Sequence, residues 1–280
     1  VRHGRKEGVD VRTLGGKRVL VTGAASGIGK ALAGRMAREG AHLLLVDLDE
    51  ASLEATGSSL ARDGAVVRTW RLDVTDVAAI APLREDVHRN GGPIDVLVNN
   101  AGVVFGGPFL EVPLERHLLT YRVNVLGLVA MTYAFLPDLL GRPDAHVVNV
   151  ASASGFIGLP YGSTYASSKW AVIGFSESLR LELELLGHRH VHVTTVCPSY
   201  VSTGLFEGAR APVATRLLTP DRLADTITSA VLADRLWVRT PWLVKVTPML
   251  KGILPTRLFY RVAGVLGVNT SMTGWKGRGA

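Results

Sequence analysis

Hydrophobic positions along the chain fall into two alternating patterns. Short runs rich in β-branched and aliphatic residues read as strands: Arg18–Thr22, Ala41–Val46, Val66–Leu72, Asp95–Val98, His146–Val150 and Val191–Val196. The stretches between them carry the helical period. They place helices over Ile28–Arg38, Glu50–Arg62, Val77–Arg89 and Tyr165–Leu186, with one more long helix between Val98 and His146. Thr219-Pro220 offers a capping hydroxyl and a first-turn proline ahead of a helix over Asp221–Ala233. Such alternation predicts an α/β chain with a Rossmann-type, doubly wound parallel sheet covered by helices on both faces. Three stretches follow: a basic leader over 1–15, open to disorder; a single α/β domain over 16–240; and an extension over 241–280.

The extension breaks the rhythm. Trp237 to Val268 is apolar but interrupted by Pro241, Pro248 and Pro255 and studded with Lys245, Lys251, Arg257 and Arg261. It holds no uncharged run long enough to span a bilayer. It reads either as a cap or lid on the core or as helices lying on a membrane interface. The charge distribution bears on that choice. The chain is +7 overall, yet residues 1–18 hold six Lys/Arg against two acids and residues 235–280 hold eight against none. The body between is therefore acidic. Basic ends on an acidic body fit nucleic acid poorly and an anionic lipid surface better. The lone cysteine, Cys197, permits no internal disulfide and fits a reducing, cytoplasmic compartment. No CxxC or HExxH spacing suggests a metal. Val1 to Arg12 is polar and basic and carries no signal-peptide pattern.

Candidate chemistry sits where strands give way to helices. Thr22-Gly-Ala-Ala-Ser-Gly-Ile-Gly29 joins the first strand to the first helix. Gly23, Gly27 and Gly29, with Ser26 and Ile28, make a tight turn that points a helix N-terminus at a pyrophosphate. Asp47 ends the second strand, where its carboxylate can accept from ribose hydroxyls and repel a 2′-phosphate. No arginine stands at Ala24, Ala25 or Ser26, so the pattern favours NAD over NADP. Asp73-Val74 ends the third strand, near an adenine edge, although Asp73 can equally hold a turn. Asn99-Asn100-Ala101-Gly102 ends the fourth and can floor a cofactor site. Tyr165 and Lys169 share a helix face one turn apart. A cation there is expected to pull the phenol pKa down from its ordinary value near 10.

These elements together resemble the short-chain dehydrogenase/reductase family. The resemblance rests on TGAASGIG at 22–29, Asp73, NNAG at 99–102, Asn124, Ser152, YASSK at 165–169 and Cys197-Pro-Ser-Tyr-Val-Ser-Thr203. It departs at Pro198-Ser199, where the family usually has Pro-Gly, so that turn is expected to differ in shape. The resemblance implies Tyr165 as general acid/base and Lys169 on the nicotinamide ribose. It implies Ser152 on the substrate oxygen and Asn124 anchoring a water that leads protons toward Lys169. Pro198, Val201 and Thr203 would flank the nicotinamide. A finer resemblance, in Phe206, Leu254–Phe259 and Thr270-Ser-Met272, is to the subgroup of retinol dehydrogenases and 17β-hydroxysteroid dehydrogenases of types 11 and 13. Those enzymes act on lipophilic alcohols and associate with membranes or lipid droplets.

The implied protein is an NAD(H)-dependent alcohol dehydrogenase or ketoreductase for a retinoid, steroid or long-chain alcohol. Ser154, Phe156, Tyr200 and Phe206 are the expected substrate pocket, with Val104, Phe105, Leu159, Tyr161 and Leu205 nearby. Family pairing through the helices after Tyr121 and Tyr165 implies a homodimer or homotetramer. The rivals are a reductase of polar 3-oxoacyl or sugar-like ketones and a catalytically silent dinucleotide-binding scaffold. No nucleic-acid partner is expected.

Overall fold

Successive residues of the first strand are buried on opposite sides, and this divides the core into two layers. In the computed structural model, which describes residues 12–212 and 217–277, seven strands form one sheet. They are β1 (Arg18–Thr22), β2 (His42–Asp47), β3 (Val67–Arg71), β4 (Val96–Asn99), β5 (Ala145–Val150), β6 (Val191–Pro198) and β7 (Trp237–Thr240). All pair in parallel, in the order β3-β2-β1-β4-β5-β6-β7. The helices are α1 (Gly27–Arg38), α2 (Glu50–Arg62), α3 (Val77–Arg89), α4 (Leu114–Tyr121), α5 (Leu128–Leu140), α6 (Ser163–Leu185), α7 (Pro220–Leu232), α8 (Trp242–Ile253) and α9 (Thr256–Val265). Val19, Val21, Leu43 and Leu45 pack with Leu32 and Met36 of α1 and Leu223 and Ile227 of α7. Leu20, Leu44 and Leu97 pack on the other side with Ile80 and Leu83 of α3 and Met131, Phe135 and Leu139 of α5. The period of two along the strands and of three to four along the helices produces both layers.

Strand order reverses between β1 and β4. Their carboxyl ends therefore open a crevice, the place where open α/β sheets bind ligands. The turns after β1, β4, β5 and β6 all face it.

Two parts of the fold depart from expectation. The short run Trp237–Thr240, read as the start of the apolar extension, is the edge strand β7, pairing Val196 with Val238. At the departure from the family pattern, the Ser199 N–H donates to the Thr240 carbonyl at 2.9 Å and prolongs this pairing. The helix between β4 and β5 is interrupted by a π-helical turn, Arg122–Gly127. Leu114–Leu140 is long and apolar enough to cross a membrane by composition alone. The packing of Met131, Phe135 and Leu139 against the sheet accounts for that apolarity. Of the expected basic leader, residues 1–11 lie outside the described residues.

One buried carboxylate ties this layer together. Asp138 accepts from Arg84 at 2.6 Å, His88 at 2.7 Å and the Ile94 N–H at 3.1 Å, with its side chain almost wholly enclosed. Asp138→Ala should cost about 2 kcal/mol, because it removes charge-assisted hydrogen bonds and orphans the Ile94 N–H, while the partly exposed Arg84 regains water. The urea midpoint measures it, and an unchanged midpoint would show that water replaces the carboxylate at no cost.

Candidate active site

The glycine turn is held from behind by Asn100. Its Nδ2 donates to the carbonyls of Thr22 at 2.9 Å and Gly23 at 3.0 Å. Thr22 Oγ1 in turn accepts from the N–H groups of Asn100 and Ala101, at 3.0 and 3.1 Å. Gly23 and Gly27 have φ of +66° and +56°, the left-handed region that favours glycine. A Cβ on Gly29 would collide with the Gly23 carbonyl. The first turn of α1 holds no acidic residue that would offset its N-terminal dipole. A cradle this close-packed, ending at a helix N-terminus, fits a dinucleotide pyrophosphate.

Asp47 stands beside it at the end of β2. One oxygen accepts from the Ala25 N–H at 2.9 Å and the other from the Asp49 N–H at 3.1 Å. It does not cap α2; Asp49 does, accepting from the Ser52 N–H at 3.1 Å. Asp73 takes the turn-holding role left open for it, accepting from the N–H and hydroxyl of Thr75 at 2.8 Å each. Val74 is buried in the core. Asn99 faces away from the crevice, donating to Thr132 at 3.0 Å and Asn149 at 2.9 Å.

A cavity of about 250 Å³ runs from this cradle to the C-terminal helices. It is lined in sequence by Gly23, Ser26 and Ile28; by Asn100, Ala101 and Gly102; by Ser152, Ser154, Tyr165 and Lys169; and by Pro198, Tyr200, Val201, Thr203 and Phe206. Gly27 and Gly29 shape the turn behind that wall, and Asp47, Asp73 and Val74 lie outside it. Leu159 and Leu205 also line it, whereas Val104, Phe105 and Tyr161 do not.

Phe156 is a correction. Expected in the pocket wall, its ring instead meets Trp237 at 5.9 Å and sits under the Arg239 guanidinium at 5.4 Å. The turn Ala153–Gly155 rotates it toward β7, so Ile157 lines the cavity in its place.

Tyr165, Ser152 and Lys169 converge as the motif spacing requires, but the electrostatics reverse one expectation. Burial pushes the Tyr165 phenol above its ordinary range, and the Ser152 hydroxyl beside it works the other way. Lys169 does not pull it down. Its Nζ lies 5.8 Å from the ring centroid and donates to the Val150 carbonyl at 2.8 Å. Burial also draws the Lys169 ammonium down to about 8. Because the folded state disfavours the charged lysine, the penalty is full below pH 8 and disappears as pH rises toward 10.5. Wild type should therefore gain stability relative to Lys169→Met across that window. Urea midpoints at its two ends test this, and a constant difference would contradict it.

Asn124 owes its placement to the π-helical turn. π-turns recur at functional sites, where the extra residue redirects a side chain. Asn124 Oδ1 accepts from the Val103 N–H at 2.8 Å. Its Nδ2 donates to the Val103 carbonyl at 2.9 Å and the Ser168 hydroxyl at 3.0 Å. It thus locks the loop after β4 to α6 beside Lys169.

The far wall comes from the extension, which the sequence reading did not assign residue by residue. Leu243, Thr247, Leu250 and Leu254 of α8 and the residue after it line the cavity, as do Phe259, Val262, Ala263 and Leu266 on and after α9. Both sets carry helical spacing, the signal that marks a buried face. Beyond them, Met272 packs against Tyr165 and Leu159.

The short chain dehydrogenase family matches this chain over residues 17–213, the whole span from the glycine turn to the loop beyond Thr203. The chain belongs to that family. Among family members, short-chain dehydrogenase/reductase family 16C member 6 of Bos taurus is 35% identical, over 92% of this chain and 82% of its own. The 17-beta-hydroxysteroid dehydrogenase 13 of Rattus norvegicus is 32% identical, over 88% of this chain and 82% of its own. A short-chain dehydrogenase/reductase from Burkholderia phymatum, solved in complex with NAD, superposes with a TM-score of 0.79 at 30% identity, covering 86% of this chain and 94% of its own.

Proposed function

We propose that this chain is an NAD(H)-dependent oxidoreductase that interconverts a lipophilic alcohol and its ketone or aldehyde. The observation that carries the reading is the single continuous cavity, polar at the glycine turn and apolar at α8 and α9, with Tyr165 between its two halves. The solved relative's NAD complex and the relative named for hydroxysteroids support the same assignment.

Gly23, Ser26, Gly27, Ile28 and Gly29 would hold the pyrophosphate, and Asp47 the adenosine ribose. Asp73 and Val74 would stand by the adenine. Asn100, Ala101 and Gly102 would floor the site, while Pro198, Val201 and Thr203 would flank the nicotinamide. The nicotinamide supplies or accepts the hydride. In oxidation the substrate C–H bond breaks with its electron pair leaving as hydride, and the hydroxyl proton passes to Tyr165. Ser152 orients the substrate oxygen through a hydrogen bond. Lys169, held by the Val150 carbonyl, would bind the ribose. Asn124 fixes the loop and helix between which a proton can leave toward Lys169.

The apolar far wall selects the substrate. Neither a phosphate clamp nor a carboxylate clamp lines the cavity among the described residues, which disfavours 3-oxoacyl or sugar-like ketones. The wall also carries the membrane reading. Trp242, Met249, Ile253, Leu258 and Val265 of α8 and α9 are exposed. Leu250 and Val262 both line the cavity and reach solvent, so its mouth opens on this face. With Lys245, Arg257 and Arg261 beside it, that face suits peripheral contact of a cytoplasmic protein with an anionic bilayer. Exposed Leu118, Leu126, Val129 and Tyr133 of the α4–α5 run, with Trp170 of α6, would form the face of a homodimer or homotetramer.

Two measurements test these readings. A panel of alcohols and carbonyls read by NADH absorbance should show kcat/KM rising with apolar chain length; activity confined to polar ketones would overturn the substrate class. Wild type should sediment with anionic liposomes, and Trp242→Ser/Ile253→Ser should lose most of that binding. If the wild type does not sediment, the lid role stands alone.

A further inference from the structure

The segment 271–277, beyond α9, ties together two loops near Tyr165. One follows β4 and contains Gly106. The other follows β6 and carries Leu205 and Phe206, and it receives most of the ties. The Arg210 N–H donates to the Ser271 carbonyl, and the Lys276 N–H donates to the Glu207 carbonyl, both at 2.8 Å. Trp275 Nε1 donates to the Leu205 carbonyl at 3.1 Å. The Tyr200 hydroxyl lies beside Ser271. Gly208 approaches so closely that a Cβ on it would collide with the Gly274 carbonyl. The Trp275 ring covers the loop after β4. A Cβ on Gly106 would stand 2.9 Å from that ring, and its three nearest atoms would all belong to it.

What these ties hold in place is Phe206. It stands between Leu205 and Glu207, whose carbonyls both accept from the segment. Its ring meets Tyr165 edge-on at 5.5 Å and Tyr200 at 5.1 Å. Met272 packs with Tyr165 and Leu159, and Trp275 packs against the same cluster. That cluster is separate from the two layers that flank the sheet. A change within it therefore loosens the loop locally and leaves the domain folded.

We propose that Trp275 is a positioning residue that clamps the loop after β6 to the loop after β4 and so holds Leu205 and Phe206 in the chamber wall beside Tyr165. Leu205 and Phe206 line the cavity and Trp275 does not, so it acts through the residues it holds. The inference rests on the reading of the cavity as the chamber of an apolar substrate, and it adds what keeps that chamber formed. Substrate binds only while the wall is in place. Releasing the clamp lowers the fraction of the competent form, and apparent affinity falls by that fraction. Turnover at saturation is spared, because bound substrate draws the wall back.

The test is decanol oxidation at saturating NAD. Trp275→Ala should raise KM about tenfold, with kcat within about twofold of wild type and NADH binding unchanged. Trp275→Phe keeps a ring over Gly106 but loses the N–H, so its KM should lie between the two. Gly106→Ala keeps every hydrogen-bonding group of the clamp, drives a Cβ into the ring and should also raise KM. In the Trp275→Ala background the same Gly106→Ala should have no further effect, since the ring it meets is gone. Fully additive effects of the two substitutions overturn the proposal. So does an unchanged KM in folded Trp275→Ala, whatever its melting temperature, which would leave the segment a role in stability alone. Should Trp275→Ala fail to fold, Gly106→Ala and Trp275→Phe decide, and an unchanged KM in both overturns the proposal. Absence of wild-type turnover with decanol and the other apolar alcohols overturns the chamber reading itself, and this proposal with it.

Discussion

Tyr165→Phe should lower kcat by about 100- to 10,000-fold, the range that a positioned general acid or base contributes, while NADH binding stays intact. The substitution removes one oxygen and leaves the ring. That ring packs edge-on against Phe206 at 5.5 Å, a contact that phenylalanine keeps. The lost hydroxyl is beside Ser152 and burial holds it protonated, so the folded enzyme forfeits no buried charge. NADH fluorescence titration should therefore match wild type. Retained turnover would remove Tyr165 from the chemistry. The pH dependence carries a sign as well. Burial raises the phenol, so alcohol oxidation, which needs phenolate, should rise with pH, and carbonyl reduction, which needs phenol, should fall.

Asp47→Asn should reverse much of the cofactor preference. The carboxylate would accept charge-assisted hydrogen bonds from the ribose, worth roughly 1.5–3 kcal/mol, or about 10- to 100-fold in kcat/KM with NAD. It would also repel a 2′-phosphate, so the same change should improve NADP. Asparagine is the informative replacement because Asp47 has a second duty. It accepts from the Ala25 N–H at 2.9 Å and thereby holds the glycine turn. An amide oxygen preserves that contact without the charge. If Asp47→Asn lowers NAD and NADP together, the residue acts only on the turn. If wild type already prefers NADP, the ribose reading is wrong.

Much of this site was legible in the sequence because its parts lie at strand ends, where local pattern and chemistry coincide. A glycine turn between a buried strand and a helix is the context in which backbone N–H groups can cradle a pyrophosphate, and the Tyr165/Lys169 spacing fixes a shared face. What escaped notice depended on long-range placement. The π-helical turn around Asn124 leaves no local signal, since Arg122–Gly127 reads as ordinary helix. Phe156 lies in the expected segment, but the turn that precedes it aims the ring at Trp237 and Arg239 of an edge strand that sequence alone did not separate from the extension. Lys169 was expected to lower the Tyr165 pKa because adjacency on a helix suggests it. The fold instead buries both and gives the ammonium to the Val150 carbonyl. The extension was readable as apolar and basic, and its helical spacing anticipates a buried face. Only the fold places that face over the chamber.

The central claim is that one cavity joins a dinucleotide cradle, the Tyr165 proton carrier and an apolar substrate chamber. The most direct test is NADH formation, followed by its absorbance, when wild type and Tyr165→Phe are mixed with NAD and a series of apolar alcohols. The account predicts turnover by wild type, faster with longer apolar chains, and rates about 100- to 10,000-fold lower in the variant. Absence of turnover with every apolar alcohol, or equal rates in the two proteins, would contradict it.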